Sequence, residues 1–213
     1  MVNHKFKAIF VHIPKTAGQS MEQMEFAGFE AEKKHFSLSM FEKEITEMGK
    51  DPNEYYKWCF SRNPYSRLVS AYTWGINNHR KEYLSDITSF EDFIDKIEQF
   101  YDFNEESSKR CLTEPPSWIQ KRIGIHVAPQ TDFINGMASN VDFIGKFEKI
   151  EDDFEKLCDN IENHSGMKIQ NRKLPIIGKT KHKHFMKYYT RRTLDKINRI
   201  YKNDFKVFKY EII

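Results

Sequence analysis

The segment best suited to chemistry is HIPKTAGQS, residues 12–20. Its lysine offers a full positive charge, and the small residues after it would let backbone N–H groups close around an anion. Two hydroxyl side chains add hydrogen-bond donors. The residues predicted to contact a bound phosphate are Lys15, Thr16, Ala17, Gly18, Gln19 and Ser20. The loop differs from a Walker A motif, G-x-x-x-x-G-K-[ST], because no glycine precedes the lysine.

A second segment, SRNPYSRLVSAY over residues 61–72, places an arginine and a serine around the start of a predicted helix. Arg62 would lie at the end of a strand, where its guanidinium can bind a phosphate through two parallel hydrogen bonds. Ser70 follows two helical turns later. An arginine in front of a helix is also common in structural ion pairs, so the residues alone leave that alternative open.

Both segments lie between a predicted strand and a predicted helix. Residues 7–13 and 56–61 are nearly continuous apolar runs, as expected of strands covered on both faces in a parallel sheet. Asn63 and Pro64 are typical of an N-cap and a first helical residue. A third short strand is predicted over 141–145. Ligands of such sheets bind beyond the carboxyl ends of the strands, which is where both segments fall.

Apolar residues at helical spacing predict most of the remaining elements. A helix is expected from the first loop through Phe26, and another after a capping box formed by Thr88 and Glu91. Further apolar stripes run over 150–161 and 194–201. The alternation of strands and helices predicts a single α/β domain over the whole chain, P-loop-like, with a mainly parallel central sheet flanked by helices.

The two motifs, in this order, resemble those of the carbohydrate sulfotransferases, and the heparan sulfate 2-O-sulfotransferase-like branch in particular. HIPKTAGQS is similar to that family's 5′-phosphosulfate loop, and the second segment to its 3′-phosphate motif. The resemblance implies 3′-phosphoadenosine-5′-phosphosulfate (PAPS) as donor, with Arg62 and Ser70 on its 3′-phosphate. Weaker similarity continues through 126–134 and 144–154 to the C-terminal helix. Gln19 departs from the family, which usually has Thr or Ser there.

The resemblance also implies the catalytic residues. KKHFSL, residues 33–38, is similar to the family segment in which a histidine acts as the base, which makes His35 the candidate. The ordinary histidine pKa near 6.5 suits that work. Lys15 would stabilise the leaving phosphate. Because some relatives use glutamate, Glu30 and Glu32 remain alternatives. No metal is expected, since the sequence holds no convincing carboxylate cluster.

The net charge of +3 conceals a strong asymmetry. Residues 165–213 contain 14 Lys and Arg against 3 Asp and Glu, whereas the rest of the chain contains 20 against 28. This basic final quarter favours an anionic ligand, or else a solvated lysine-rich face. The loop GKTKHKH, residues 178–184, could close over the donor phosphates through Lys179 and Thr180 or hold an anionic sugar chain. A metal at its two histidines is a weaker alternative.

Composition limits the remaining possibilities. Three cysteines without paired spacing, Cys59, Cys111 and Cys158, suit a reducing compartment, and no apolar run is long enough for a leader or a membrane span. We therefore expect a cytoplasmic enzyme without a nucleic-acid partner. Its acceptor is predicted to be a carbohydrate, with a lipid or small molecule as the alternative. A non-catalytic nucleotide-binding module and a P-loop kinase-like protein stay open.

Overall fold

The computed structural model describes residues 1–28, 30, 33–103, 123–178 and 182–213, with residues 79–83 as backbone only. Its sheet has four strands in the order β1-β2-β3-β4. These are β1 (Val2–Asn3), β2 (Ala8–Val11), β3 (Tyr56–Ser61) and β4 (Phe143–Lys146). The β1–β2 pairing is antiparallel, and the β2–β3 and β3–β4 pairings are parallel. The predicted α/β fold with a mainly parallel sheet is thus confirmed.

The helices of the described residues flank this sheet. They are α1 (Gly18–Met21), α2 (Leu38–Glu47), α3 (Pro64–Tyr83), α4 (Phe90–Asp95), α5 (Ile123–Val127), α6 (Gln130–Phe133), α7 (Ile150–Ser165), α8 (Arg191–Ile200) and α9 (Lys202–Val207). The two apolar stripes predicted over 150–161 and 194–201 coincide with α7 and α8.

The strands and the start of α3 follow their local sequence closely. All four residues of β2 are buried, as are the last four of β3, which explains the unbroken apolar runs. The Asn63 side chain accepts a hydrogen bond from the Tyr65 N–H at 3.0 Å, as the predicted N-cap should. The β4 strand begins at Phe143 rather than residue 141, because the Asp142 carboxylate accepts the Lys57 N–H in place of a strand carbonyl.

Two predicted helix boundaries are wrong. The first helix ends at Met21 rather than at Phe26. After it, backbone hydrogen bonds join residues three apart, from the Met24 N–H to the Met21 carbonyl and from the Ala27 N–H to the Met24 carbonyl, so the chain continues as turns. Met24 and Phe26 are both buried, which one helical face cannot achieve because residues two apart point in nearly opposite directions.

The second error concerns the capping box before α4. The N-cap is Ser89, not Thr88, and the Ser89 hydroxyl accepts the Asp92 N–H at 3.1 Å. Thr88 lies outside the helix and donates its own N–H to the Asp92 carboxylate at 2.9 Å. The acidic partner is therefore Asp92 rather than Glu91, and the whole cap is shifted by one residue.

The core is dominated by aromatic side chains around the middle of the sheet. Phe10 of β2 stacks on Trp58 of β3 with ring centroids 4.1 Å apart, and Phe26 packs against Trp58 and against Phe154 of α7. The expected unpaired thiols Cys59 and Cys158 are buried here, while Cys111 lies outside the described residues.

A fully buried carboxylate, Asp204 of α9, ties the C-terminal helices to the end of β3. Its two oxygens accept the backbone N–H groups of Gln130 and Thr131 at 2.9 and 3.0 Å, and also both of their side chains. The Gln130 amide in turn forms two 2.8 Å hydrogen bonds with the backbone of Arg62. Asp204 thereby fixes the backbone at the carboxyl end of β3.

Replacing Asp204 with alanine should strongly destabilise the protein, because four donors would lose their buried acceptor. We expect the free energy of unfolding in urea to fall by about 3 kcal/mol or more. Asp195→Ala is the control, since Asp195 pairs with Arg191 on an exposed helix surface and should cost less than about 1 kcal/mol. Equal losses in the two variants would contradict an anchoring role for Asp204.

Candidate active site

The loop after β2 has a backbone built for close approach to an anion. Lys15 and Ala17 both adopt left-handed conformations, with φ of 71° and 69°, whereas Thr16 between them has a negative φ. Left-handed conformations are costly for residues with a Cβ and cluster at functional sites. Left-handed residues next to residues of negative φ turn neighbouring N–H groups toward one side in known anion-binding concavities.

The polar side chains of this loop brace it from behind. The Thr16 hydroxyl is buried and donates to the Ile13 carbonyl at 2.8 Å, so what Thr16 can offer a ligand is its backbone N–H. The Ser20 hydroxyl accepts the Ile177 N–H at 3.1 Å. Gly178, with a φ of 69°, lies beside this loop, where a Cβ would overlap the flexible end of the Gln19 side chain.

The loop opens into a cleft of about 1770 Å³ that gathers most of the predicted site residues. Those that line it are Lys15, Ala17, Gly18, Gln19, Ser20, His35, Arg62 and Ser70. Thr16 does not line the cleft, and Glu30 does not either, because its carboxylate pairs with Lys33 at 2.8 Å. Lys179, Thr180 and Glu32 lie outside the described residues.

Arg62 is held at the floor of this cleft by neutral partners. Its Nη1 donates to the Lys15 carbonyl at 3.1 Å and its Nε to the Ser66 hydroxyl at 3.0 Å. The guanidinium lies 4.1 Å from the centre of the Phe147 ring. Ser70, on the cleft face of α3, is 4% exposed. Among the described residues, these neutral contacts and no carboxylate hold the guanidinium toward the cleft.

Lys15 and Arg62 form a pair of buried cations. No carboxylate in the described part of the chain forms an ion pair with either, and the Lys15 ammonium lies 5.2 Å from the Trp74 ring centre. Burial, with a smaller contribution from Arg62, lowers the pKa of Lys15 to about 8. Burial also lowers the pKa of Arg62 to about 10, although the nearby charge of Glu148 opposes this shift. Buried charges without partners are costly, so this arrangement favours an anionic ligand.

Three histidines line the cleft beside Lys15. The rings of His12 and His35 are 4.6 Å apart, and those of His35 and His126 are 6.1 Å apart. His35 Nδ1 lies 3.2 Å from the His12 carbonyl, and because a carbonyl only accepts, Nδ1 carries the proton. The lone pair of His35 is then on Nε2, the tautomer that a general base requires. Burial, aided by His35 and Lys15, holds the pKa of His126 well below its ordinary value.

A buried carboxylate, Glu22, lies behind the histidines. His12 Nδ1 is 2.7 Å from Glu22 Oε1, and the Lys34 ammonium is 2.8 and 2.9 Å from the two oxygens. A Cβ on Gly18 would overlap His12 Nε2, so the glycine of the loop makes room for this ring. The loop, His12 and the segment around Lys34 therefore form one packed unit.

Three residues of the site were missed by the sequence analysis. Trp74 lines the cleft one helical turn after Ser70, and that spacing was a usable signal. Gln130, which holds the Arg62 backbone, lies in a segment noted only for its similarity to other proteins. Nothing in the sequence pointed to Glu22, because its partners are ten or more residues away.

In the described part of the chain, no group of three or more His, Cys, Asp or Glu side chains is arranged to hold a metal ion. Its helices are all too short or too polar to traverse a bilayer.

Comparison with known proteins gives one match. No curated protein and no solved structure matches the chain. A family model described as "Sulfotransferase family" matches residues 1–211, which is nearly the whole chain. The buried cations and the anion-binding loop of the cleft are consistent with that match. The chain therefore belongs to the sulfotransferase family, whose enzymes transfer sulfuryl groups.

Proposed function

We propose that this protein transfers the sulfuryl group of PAPS to a hydroxyl or amine of a carbohydrate acceptor, as a single domain with a P-loop-like donor site. The observation that carries the proposal is the pair of buried cations, Lys15 and Arg62, neither of which forms an ion pair with a carboxylate among the described residues. The similarity of the two motifs to the heparan sulfate 2-O-sulfotransferase-like branch supports the same donor.

The donor carries anionic groups at two positions, and the cleft offers two places for them. The backbone concavity and Lys15 suit the 5′-phosphosulfate, whereas Arg62 and Ser70 suit the 3′-phosphate. Charge-assisted bonds to a dianion would offset the cost of burying both cations. Between the strand ends and α7, apolar cleft residues such as Phe147 and Phe154 give the adenine a surface to pack against. Lys179 and Thr180 are further proposed donor contacts.

The proposed chemistry divides between two residues. His35 Nε2 takes the proton of the acceptor hydroxyl as its oxygen attacks the sulfur. The bond from sulfur to the phosphate oxygen breaks, and Lys15 stabilises the negative charge that develops on the departing phosphate. The Nδ1–H of His35 remains hydrogen-bonded to the His12 carbonyl, which keeps the ring in the orientation that the reaction needs.

The acceptor side of the cleft supports a carbohydrate. Trp74, Asn77 and Asn78 follow one another at helical spacing on α3 and all line the cleft. An indole face packs on the apolar face of a sugar ring, and side-chain amides can donate to and accept from sugar hydroxyls. These three residues would hold the sugar beside His35 and Lys15.

Adenosine 3′,5′-bisphosphate should stabilise the protein much more than ATP does, because only the former has a 3′-phosphate for Arg62 and Ser70. At about 100 times its dissociation constant it should add roughly 2.7 kcal/mol, measured as a rise in melting temperature. Arg62→Ala should remove most of the protein's preference for the bisphosphate over ATP. Equal stabilisation of the wild type by the two nucleotides would contradict a 3′-phosphate site.

The affinity for the bisphosphate should fall as pH rises through the lowered pKa of Lys15, about 8, because the ligand binds the ammonium form. The charged fraction drops about tenfold between pH 7 and pH 9, so the dissociation constant should rise about tenfold in calorimetric titrations. Lys15→Arg, which stays charged, should bind tightly with a nearly flat profile over this range. A flat profile for the wild type would contradict the loss of the Lys15 charge between pH 7 and pH 9.

His35→Ala should lower the transfer rate by about 10²–10⁴-fold while leaving bisphosphate affinity nearly unchanged. The rate of the wild type should decline at acidic pH as His35 becomes protonated, and this decline should be absent in the variant. Glu30→Gln and Glu32→Gln are the controls and should remain active. An active His35→Ala together with an inactive glutamate variant would assign the base to a carboxylate instead.

A further inference from the structure

We propose that Glu22 is a positioning residue that holds the segment bearing His35 against the phosphate-binding loop and so sets turnover rather than donor affinity. The inference rests on the proposed function, in which His35 is the base. Glu22 directly follows α1, the short helix that the loop leads into. Its side chain is only 5% exposed, so its contacts are with the protein.

The contacts of Glu22 join two separate stretches of chain. His12, at the end of the first parallel strand, reaches Glu22 Oε1 through Nδ1 at 2.7 Å. Lys34, from the segment after the first helix, reaches both carboxylate oxygens at 2.8 and 2.9 Å. The Glu22 carboxylate therefore holds the segment that contains His35 against the end of β2, where the phosphate-binding loop begins.

Both contacts lead to His35. Lys34 is its neighbour in the chain, so the ion pair with Glu22 limits how far His35 can move. His12 provides the carbonyl that accepts from His35 Nδ1 at 3.2 Å, and its ring lies 4.6 Å from the His35 ring. Removing the Glu22 charge would break the ion pair with Lys34 and so loosen the segment that bears His35. Positional errors near 1 Å at a reacting group can cost about 10²-fold in rate.

The charge states are consistent with this arrangement. Burial alone would raise the pKa of Glu22, but its interactions with His12 and Lys34 outweigh burial and the net pKa is lowered. Burial lowers the pKa of His12 despite the carboxylate. At neutral pH, Glu22 is thus ionised and His12 is neutral, with its Nδ1 in close contact with Glu22 Oε1 at 2.7 Å. Lys34 supplies the compensating positive charge.

The alternative is that Glu22 merely stabilises the fold, and the chain offers a matched control. Glu162 of α7 is another largely covered carboxylate, with a side chain 10% exposed. It accepts from Lys168 at 2.6 Å and from the Ile169 N–H at 2.9 Å. Glu162 does not line the cleft. Its replacement should affect stability alone.

The test compares Glu22→Gln, Lys34→Gln and the double variant with Glu162→Gln. Glutamine keeps an oxygen for His12 but removes the charge that holds Lys34. We expect Glu22→Gln to lower kcat by about tenfold to a hundredfold without changing the dissociation constant of adenosine 3′,5′-bisphosphate. Lys34→Gln should cause a similar loss, and the double variant little more, because both break one interaction. Glu162→Gln should leave kcat unchanged.

A measurement that does not depend on enzymatic turnover separates this inference from the proposed function. Nitrogen-15 NMR of the histidine rings should show His35 as the Nδ1–H tautomer in the wild type and as a mixture in Glu22→Gln. If the wild type neither binds the bisphosphate nor transfers sulfuryl groups, the proposed function fails, while the NMR comparison still decides the coupling. An unchanged His35 signal, an unchanged kcat, or equal losses of kcat and affinity would overturn the inference. Should Glu22→Gln fail to fold, Lys34→Gln, at a 25% exposed side chain, provides the same measurements.

Discussion

The structure depends on holding two cations together in a buried cleft. Arg62 donates to the Lys15 carbonyl, and burial lowers the pKa of both side chains. Like charges in such a place are unfavourable, so the surrounding fold must compensate. It does so by fixing the backbone: Gln130 forms hydrogen bonds with the Arg62 backbone, and Asp204 holds Gln130. The cost of the arrangement is offset when an anion binds between the cations.

The parallel sheet explains how Lys15 and Arg62, which are 47 positions apart in the sequence, come into contact. In the register of β2 and β3, Val11 is opposite Cys59. Lys15 lies just beyond the carboxyl end of one strand and Arg62 just beyond that of its neighbour, so both reach the same edge of the sheet. Left-handed backbone at Lys15 then turns the loop back over Arg62. A slip of the two strands would separate the cations.

The sequence was sufficient where local pattern decides the structure. Residues 8–11 and 56–61 form strands because unbroken apolar runs must be buried on both faces. Local pattern failed where tertiary packing decides. The first helix ends early because Met24 and Phe26 must both be buried. Likewise Glu22 looks like an ordinary surface residue until the fold brings Lys34 to it.

Counting charges along the sequence is limited in the same way, because tertiary packing decides which charges pair. The basic final quarter of the chain predicted an anionic ligand, yet several of its cations pair with carboxylates from earlier residues. Those pairs are Lys168 with Glu162, Arg172 with Glu155 and Asp159, Arg192 with Glu91 and Asp95, and Lys196 with Glu98. Within the cleft itself, Lys34 and Arg172 are neutralised in this way, whereas Lys15 and Arg62 are not. What marks the anion site is therefore a pair of buried cations that form no ion pair with a carboxylate among the described residues, a property of the fold that no local count of basic residues contains.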